Sequence, residues 1–116
     1  VRRAAAADPW LQLHPPSVEW IGGVWEGAET PLDHPIVASL SRSLAALRGR
    51  PAAVEGAPYG SDLRLFTNRA AIPGVLFGPG DIRLAHFTDE YVRLEEVAEA
   101  AICLGLTILE YCGVAA

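Results

Sequence analysis

The histidine at position 86 has the clearest capacity for chemistry in this chain. It follows a short apolar run, Val75-Leu76-Phe77, and then a Gly78-Pro79-Gly80 break. It precedes the acidic pair Asp89-Glu90 by three residues. A neutral imidazole is a common zinc ligand, and a nearby carboxylate can orient it. One histidine makes no metal site, because zinc takes three or four protein ligands. Spacing alone leaves His86 as such a ligand or as an ordinary loop histidine. His14 and His34 each stand before a proline and read as boundary residues.

A second cluster is Gly60-Ser61-Asp62-Leu63-Arg64, which puts a hydroxyl, a carboxylate and a guanidinium at a helix start. Helix starts offer amides and positive potential to an anion, and arginine can grip a carboxylate bidentately. Helix capping with a surface ion pair explains the same residues. Gly78 to Gly80 could present amides to a ligand carboxylate or form a tight turn, and it matches neither a Walker loop nor a dinucleotide fingerprint. Glu95-Glu96 falls in the first turn of an expected helix, where acids suit the helix dipole, so a solvated face is the expectation. No Gly-x-Ser-x-Gly occurs, and Cys103 and Cys112 sit within an apolar helical pattern, so no serine or cysteine nucleophile is indicated.

The elements that would position these groups alternate. Residues 1–7 are helix formers, Asp8-Pro9 interrupts or restarts the helix, and His14-Pro15-Pro16 stops it. Ser17 to Ile21 reads as a strand, bent at Gly22-Gly23 and continued by Val24 to Glu26. Asp33 is the expected N-cap of a helix over 34–48, whose Ile36, Val37, Leu40, Leu44 and Leu47 share a face and which Gly49 closes. A weak strand over 51–56 precedes a helix from Leu63 to Ala70 with Leu65, Phe66 and Ala70 inward. The run at 75–77 is a strand, and Val92 to Cys112 is a long helix with a broad apolar face. Helix, strand, helix, strand, helix from residue 34 onward predicts an α/β domain.

Half of the 116 residues are hydrophobic, a fifth are charged and the net charge is −5. This is a globular composition, with no basic block for nucleic acid and no apolar run near the ~20 residues of a membrane span. Nine positions on one helix separate the cysteines by roughly 13 Å, too far for a disulfide. Two buried thiols in the cytoplasm are expected. With no methionine and an opening that reads as the middle of a helix, the chain is expected to be a piece of a longer protein.

Three segments occur in order: Gly60-Ser61-Asp62-x-Arg64, Ile72-Pro73-x-Val75-x-Phe77-Gly78-Pro79-Gly80, and Ala85-His86-x-x-Asp89-Glu90-Tyr91-Val92. Together they resemble the C-terminal signature of the zinc-dependent family of aminoacylases, acetylornithine deacetylases and succinyl-diaminopimelate desuccinylases. Pro16 to Glu26 and the helix from 34 resemble, more loosely, that family's exit from its lid domain. The resemblance covers the C-terminal third or so of a family member. It implies the last part of a three-layer α/β catalytic domain over 31–116, preceded over 1–30 by a helix and strand from an α+β lid that often mediates dimerisation.

The resemblance also implies a chemistry. Such enzymes hydrolyse amides of N-acyl amino acids or small peptides at two metal ions, usually zinc, with cobalt or manganese as alternatives. His86 would be the C-terminal metal ligand. Gly78, Pro79 and Gly80, with Ser61 and Arg64, would line the substrate pocket, and Asp89 and Glu90 would support the ligand. The family's His-x-Asp pair, bridging aspartate, Glu-Glu pair and lid histidine would all precede this region, so no catalytic base lies within it. The expected partners are the missing N-terminal part, an N-acyl amino acid and a second copy of the chain. A chain inactive and metal-free by itself is the reading, with a non-enzymatic binding module derived from the same fold as the alternative.

Overall fold

A computed structural model describes residues 1–114. The N-terminal alanine-rich segment forms α1 (Arg2–Ala5), and α2 (Pro9–Leu13) restarts after Asp8. Asp8 Oδ1 accepts from the amides of Trp10 and Leu11, both at 2.9 Å, and Pro9 occupies a first-turn position where its missing N–H costs nothing.

The third helix, α3, spans Pro35–Arg48, and α4 spans Leu94–Cys112. The cap of α3 is His34, not Asp33. Pro35 forces the preceding residue into extended geometry, and His34 Nδ1 accepts from the Ile36 amide at 3.2 Å. Gly49, at φ 64°, closes the helix as expected.

These two helices pack against each other through small side chains. Val37, Ser39 and Ser43 of α3 and Ala100, Cys103 and Thr107 of α4 are buried. Ser39 and Ser43 are four apart, and Ala100, Cys103 and Thr107 follow at three and four, so each set forms one stripe. Arg42 pairs with Glu110 and Arg48 with Glu99. The later arginine meets the earlier glutamate, so the helices run antiparallel. Burial pushes the Cys103 thiol up. Cys112 is exposed, which corrects the expectation of two buried thiols.

Between α3 and α4 lie a π-helical turn, Leu65–Arg69, and a short 3₁₀ turn, Ile82–Leu84. The helix expected over Leu63 to Ala70 forms over 63–69 and widens into π-helical bonding from Leu65 onward. Its inward residues are not buried: Leu65 and Phe66 are 42% and 54% exposed.

No strand forms among the described residues. The segments expected as strands, 17–21, 24–26, 51–56 and 75–77, have no ladder partner, and no backbone hydrogen bond joins them to one another. A strand exists only by pairing, because each of its amides needs an acceptor on a neighbour. The chain is correspondingly extended. Its radius of gyration is 20.4 Å, against the ~13 Å of a compact domain of this length.

Cys103 is completely buried in the α3–α4 contact. Cys103→Leu is expected to lower stability by about 1–3 kcal/mol through overpacking, and Cys103→Ala by less. Urea unfolding followed by the helical signal measures both.

Candidate functional site

The first cluster sits on the helical start at 61–64. Ser61 Oγ accepts from the Leu63 amide at 3.3 Å, and the Leu65 amide donates to Asp62 O at 2.8 Å. Ser61 thus caps the turn, while Asp62 contributes its carbonyl. Arg64 is half-buried, and its guanidinium carbon lies 4.6 Å from the centroid of the Trp25 ring.

This turn is fixed to a distant segment by polar contacts. Thr30 Oγ1 donates to Gly74 O at 2.6 Å and accepts from the Gly74 amide at 3.2 Å. Asn68 Nδ2 donates to Gly27 O at 3.0 Å, and Arg69 lies 3.5 Å from Glu26. Residues 25–30 therefore run against 60–74. An open groove of about 360 Å³ lies beside them, lined by Ser61, Asp62, Phe66 and the 72–76 segment.

The second cluster lies at the other end of the glycine loop. Gly80 has φ +90°, a conformation that suits glycine, and its amide donates to Glu96 Oε2 at 3.0 Å. Glu96 sits in the first turn of α4. Glu95 stays exposed, 3.7 Å from Arg93. The solvated-face expectation thus describes Glu95, and Glu96 instead fastens the loop.

Asp81 then caps the 3₁₀ turn. Its Oδ1 accepts from the Arg83 amide and from Arg83 Nε, both at 2.9 Å. These bonds hold the Asp81 carboxyl down at about 2.

His86 follows at φ 66°, a left-handed conformation that a non-glycine residue adopts at a cost of ~1–3 kcal/mol. Glu90 Oε2 accepts from the His86 amide at 3.1 Å, so the carboxylate holds the backbone of the histidine rather than its ring. His86 is exposed, and so is Asp89. Among the described residues no hydrogen bond or ion pair links the His86 turn to Ser61 or Arg64.

The donor set bears directly on metal binding. No group of three or more His, Cys, Asp or Glu side chains that could hold a metal ion occurs among the described residues. His86 stands as a single imidazole, short of the three or four protein ligands zinc takes.

The family model for peptidase family M20/M25/M40 matches residues 16–110, and the chain belongs to this family. It is 37% identical over 76 residues to the acetylornithine deacetylase of Myxococcus xanthus, covering 66% of this chain and 19% of that protein. It is 28% identical over 116 residues to the N-formyl-4-amino-5-aminomethyl-2-methylpyrimidine deformylase of Halalkalibacterium halodurans, covering 93% and 27%. The Bacillus subtilis protein of the same name is 26% identical over 120 residues, covering 97% and 28%. The chain thus spans between about a fifth and just over a quarter of the length of these curated relatives. No solved structure matches it. No helix among the described residues is long and apolar enough to cross a membrane.

Sequence reasoning named Ser61, Arg64, the glycine loop, His86, Asp89 and Glu90, read Glu96 as a solvated acid, and did not single out Trp25 or Thr30. A glycine loop with free amides sixteen residues before a first-turn acid was a usable signal for Glu96. Nothing in the spacing announced Trp25 or Thr30.

Two outcomes follow from this geometry. Glu90→Ala should speed amide exchange at His86, while Glu90→Gln, which keeps an acceptor oxygen, should largely preserve protection; exchange measured by NMR decides. For Asp81 the folded value lies below the ordinary 3.8, so the turn's contribution is complete above that pH. It is lost as pH falls toward about 2, and Arg83→Leu, which removes the side-chain bonds and keeps the amide bond, should move the carboxyl titration only part of the way back to the ordinary range.

Proposed function

We propose that this chain is the C-terminal portion of a metal-dependent amidohydrolase that removes a short acyl group from the nitrogen of an amino acid. One observation carries the reading: the M20/M25/M40 match extends over 16–110, and the relatives within it are named for removing acetyl or formyl groups. Those names share one reaction, hydrolysis of a small N-acyl amide.

In this reading residues 31–116 belong to a three-layer α/β catalytic domain and residues 1–30 to the tail of an α+β lid. The segments at 17–21, 51–56 and 75–77 become strands when the rest of the sheet is present. The protein works in the cytoplasm as a homo-oligomer.

His86 supplies one ligand to a zinc centre, with cobalt or manganese as alternatives, and the other ligands lie in the preceding part of the protein. A metal bound there would polarise the amide carbonyl and lower the pKa of water. The residues of this chain bind and orient. Glu90 holds the His86 backbone, and Asp89 adds negative charge beside it. The amide of Gly78 faces the substrate at the loop that Pro79 stiffens, and Gly80, whose amide Glu96 takes, sets the turn of that loop beside the substrate. Ser61 shapes the helix start, and Arg64 grips the substrate carboxylate. The general base lies outside this chain, so the chain alone turns over nothing.

The test is hydrolysis of N-acetylornithine and N-formyl amino acids by the full-length protein. Zinc-dependent release of the acyl group, lost with a chelator, is expected. His86→Ala should lower kcat/KM by more than the ~10–100-fold that loss of a ligand-orienting neighbour costs. Metal-independent turnover, or none on any N-acyl amino acid, would overturn the reading.

A further inference from the structure

The geometry points to Trp25 as a positioning residue that holds Arg64 for the substrate carboxylate, an inference that rests on the reading of Arg64 above. Trp25 and Arg64 are 39 positions apart, on opposite sides of the expected boundary at residue 30. The guanidinium carbon of Arg64 nevertheless lies 4.6 Å from the Trp25 ring centroid, within the range of a cation–π contact.

Three independent features support this platform. The first is steric. A Cβ on Gly60 would lie 3.0 Å from Trp25 Cε3 and 3.1 Å from Cδ2, so the ring lies directly on the Gly60 backbone, where any side chain would lift it. The second is the state of Arg64. Its Nε is shut off from solvent and has no hydrogen-bond partner among the described residues. Among the described residues no carboxylate pairs with the guanidinium, and a ring face holds its orientation instead. The third is anchorage. The Glu26–Arg69 pair, the Asn68 bond to Gly27 and the two Thr30–Gly74 bonds fix the backbone that carries Trp25 against the 60–74 segment.

Trp25 therefore does for Arg64 what an acidic partner usually does, without consuming its charge. An aspartate in that place would orient the guanidinium and also compete with the substrate carboxylate. An aromatic face orients it and leaves its outer nitrogens free to bind an anion. The carboxylate of the substrate is thus selected through a residue on the lid side of the chain.

The experiment compares N-acetylornithine with its C-terminal amide as substrates of the full-length, zinc-loaded protein. The wild type is expected to prefer the acid, and Arg64→Ala to abolish that preference. Trp25→Ala should raise KM for the acid by about 2- to 30-fold, the span of a cation–π contact, with kcat little changed. The amide should be used as before, which serves as the internal control for folding. Gly60→Ala should copy this effect, Trp25→Phe should restore the preference, and Trp25→Leu should not. A full acid preference in Trp25→Ala, with Arg64→Ala lacking it, overturns the platform and leaves the role of Arg64 standing. Equal behaviour of the Leu and Phe variants overturns its aromatic basis. A wild type indifferent to the carboxylate, or an Arg64→Ala variant that keeps the preference, removes the role of Arg64 and the platform with it.

Discussion

The close approach of α4 to α3 is the contact from which the rest of the chain hangs. Ser39 and Ser43 meet Ala100, Cys103 and Thr107, and side chains this small let two backbones come together with Cys103 fully enclosed. The 45 residues from Gly49 to Arg93 leave one helix and return to the other. Every site residue expected from the sequence lies in that excursion. Its return is fixed where Glu96, on the first turn of α4, takes the Gly80 amide. The ion pairs at the helix flanks add little, because their arginines are 63% and 41% exposed.

The same contact explains what the fold lacks. Ile102, Leu104, Ile108 and Leu109 of α4 remain 46–58% exposed, although the helical pattern places them on an apolar face. A contact made through the small residues of α3 covers only a narrow stripe of its neighbour. The α4 sequence has a broader apolar face than α3 can bury, and that breadth fits a helix packed on a sheet. Val18, Trp20, Ile21 and Val24 tell the same story in the extended segment. They have the residue types of strands and no strand to pair with.

What could be read from the sequence divides along a physical line. Helix limits depend on nearest neighbours, and α3 and α4 fall within two residues of their expected bounds. The αL close at Gly49 and the restart at Asp8-Pro9 were legible for the same reason. Strands depend on partners elsewhere, and residues 17–21 and 75–77 kept their β-forming composition without becoming strands. The site followed suit. His86, Glu90 and the glycine loop announced themselves by local spacing. Trp25 and Thr30 act across 39 and 44 positions, a distance no local pattern reports.

The candidate residues form two clusters, each held by a different kind of force. At the His86 end, carboxylates fasten backbone: Glu90 takes the amide of a histidine in a costly conformation, Glu96 takes Gly80, and Asp81 takes Arg83. Each takes up an amide; Glu90 thereby leaves the His86 side chain uncommitted, whereas Asp81 also pairs with the Arg83 guanidinium. At the Arg64 end, a ring rather than a carboxylate does the holding. Both devices spare the functional group itself. The imidazole of His86 and the outer nitrogens of Arg64 are the groups a metal ion and a substrate carboxylate would need, and the chain supports both through their surroundings. A chain that supported them by pairing their charges would have answered the electrostatic demand internally. This one leaves that demand open toward whatever completes the site.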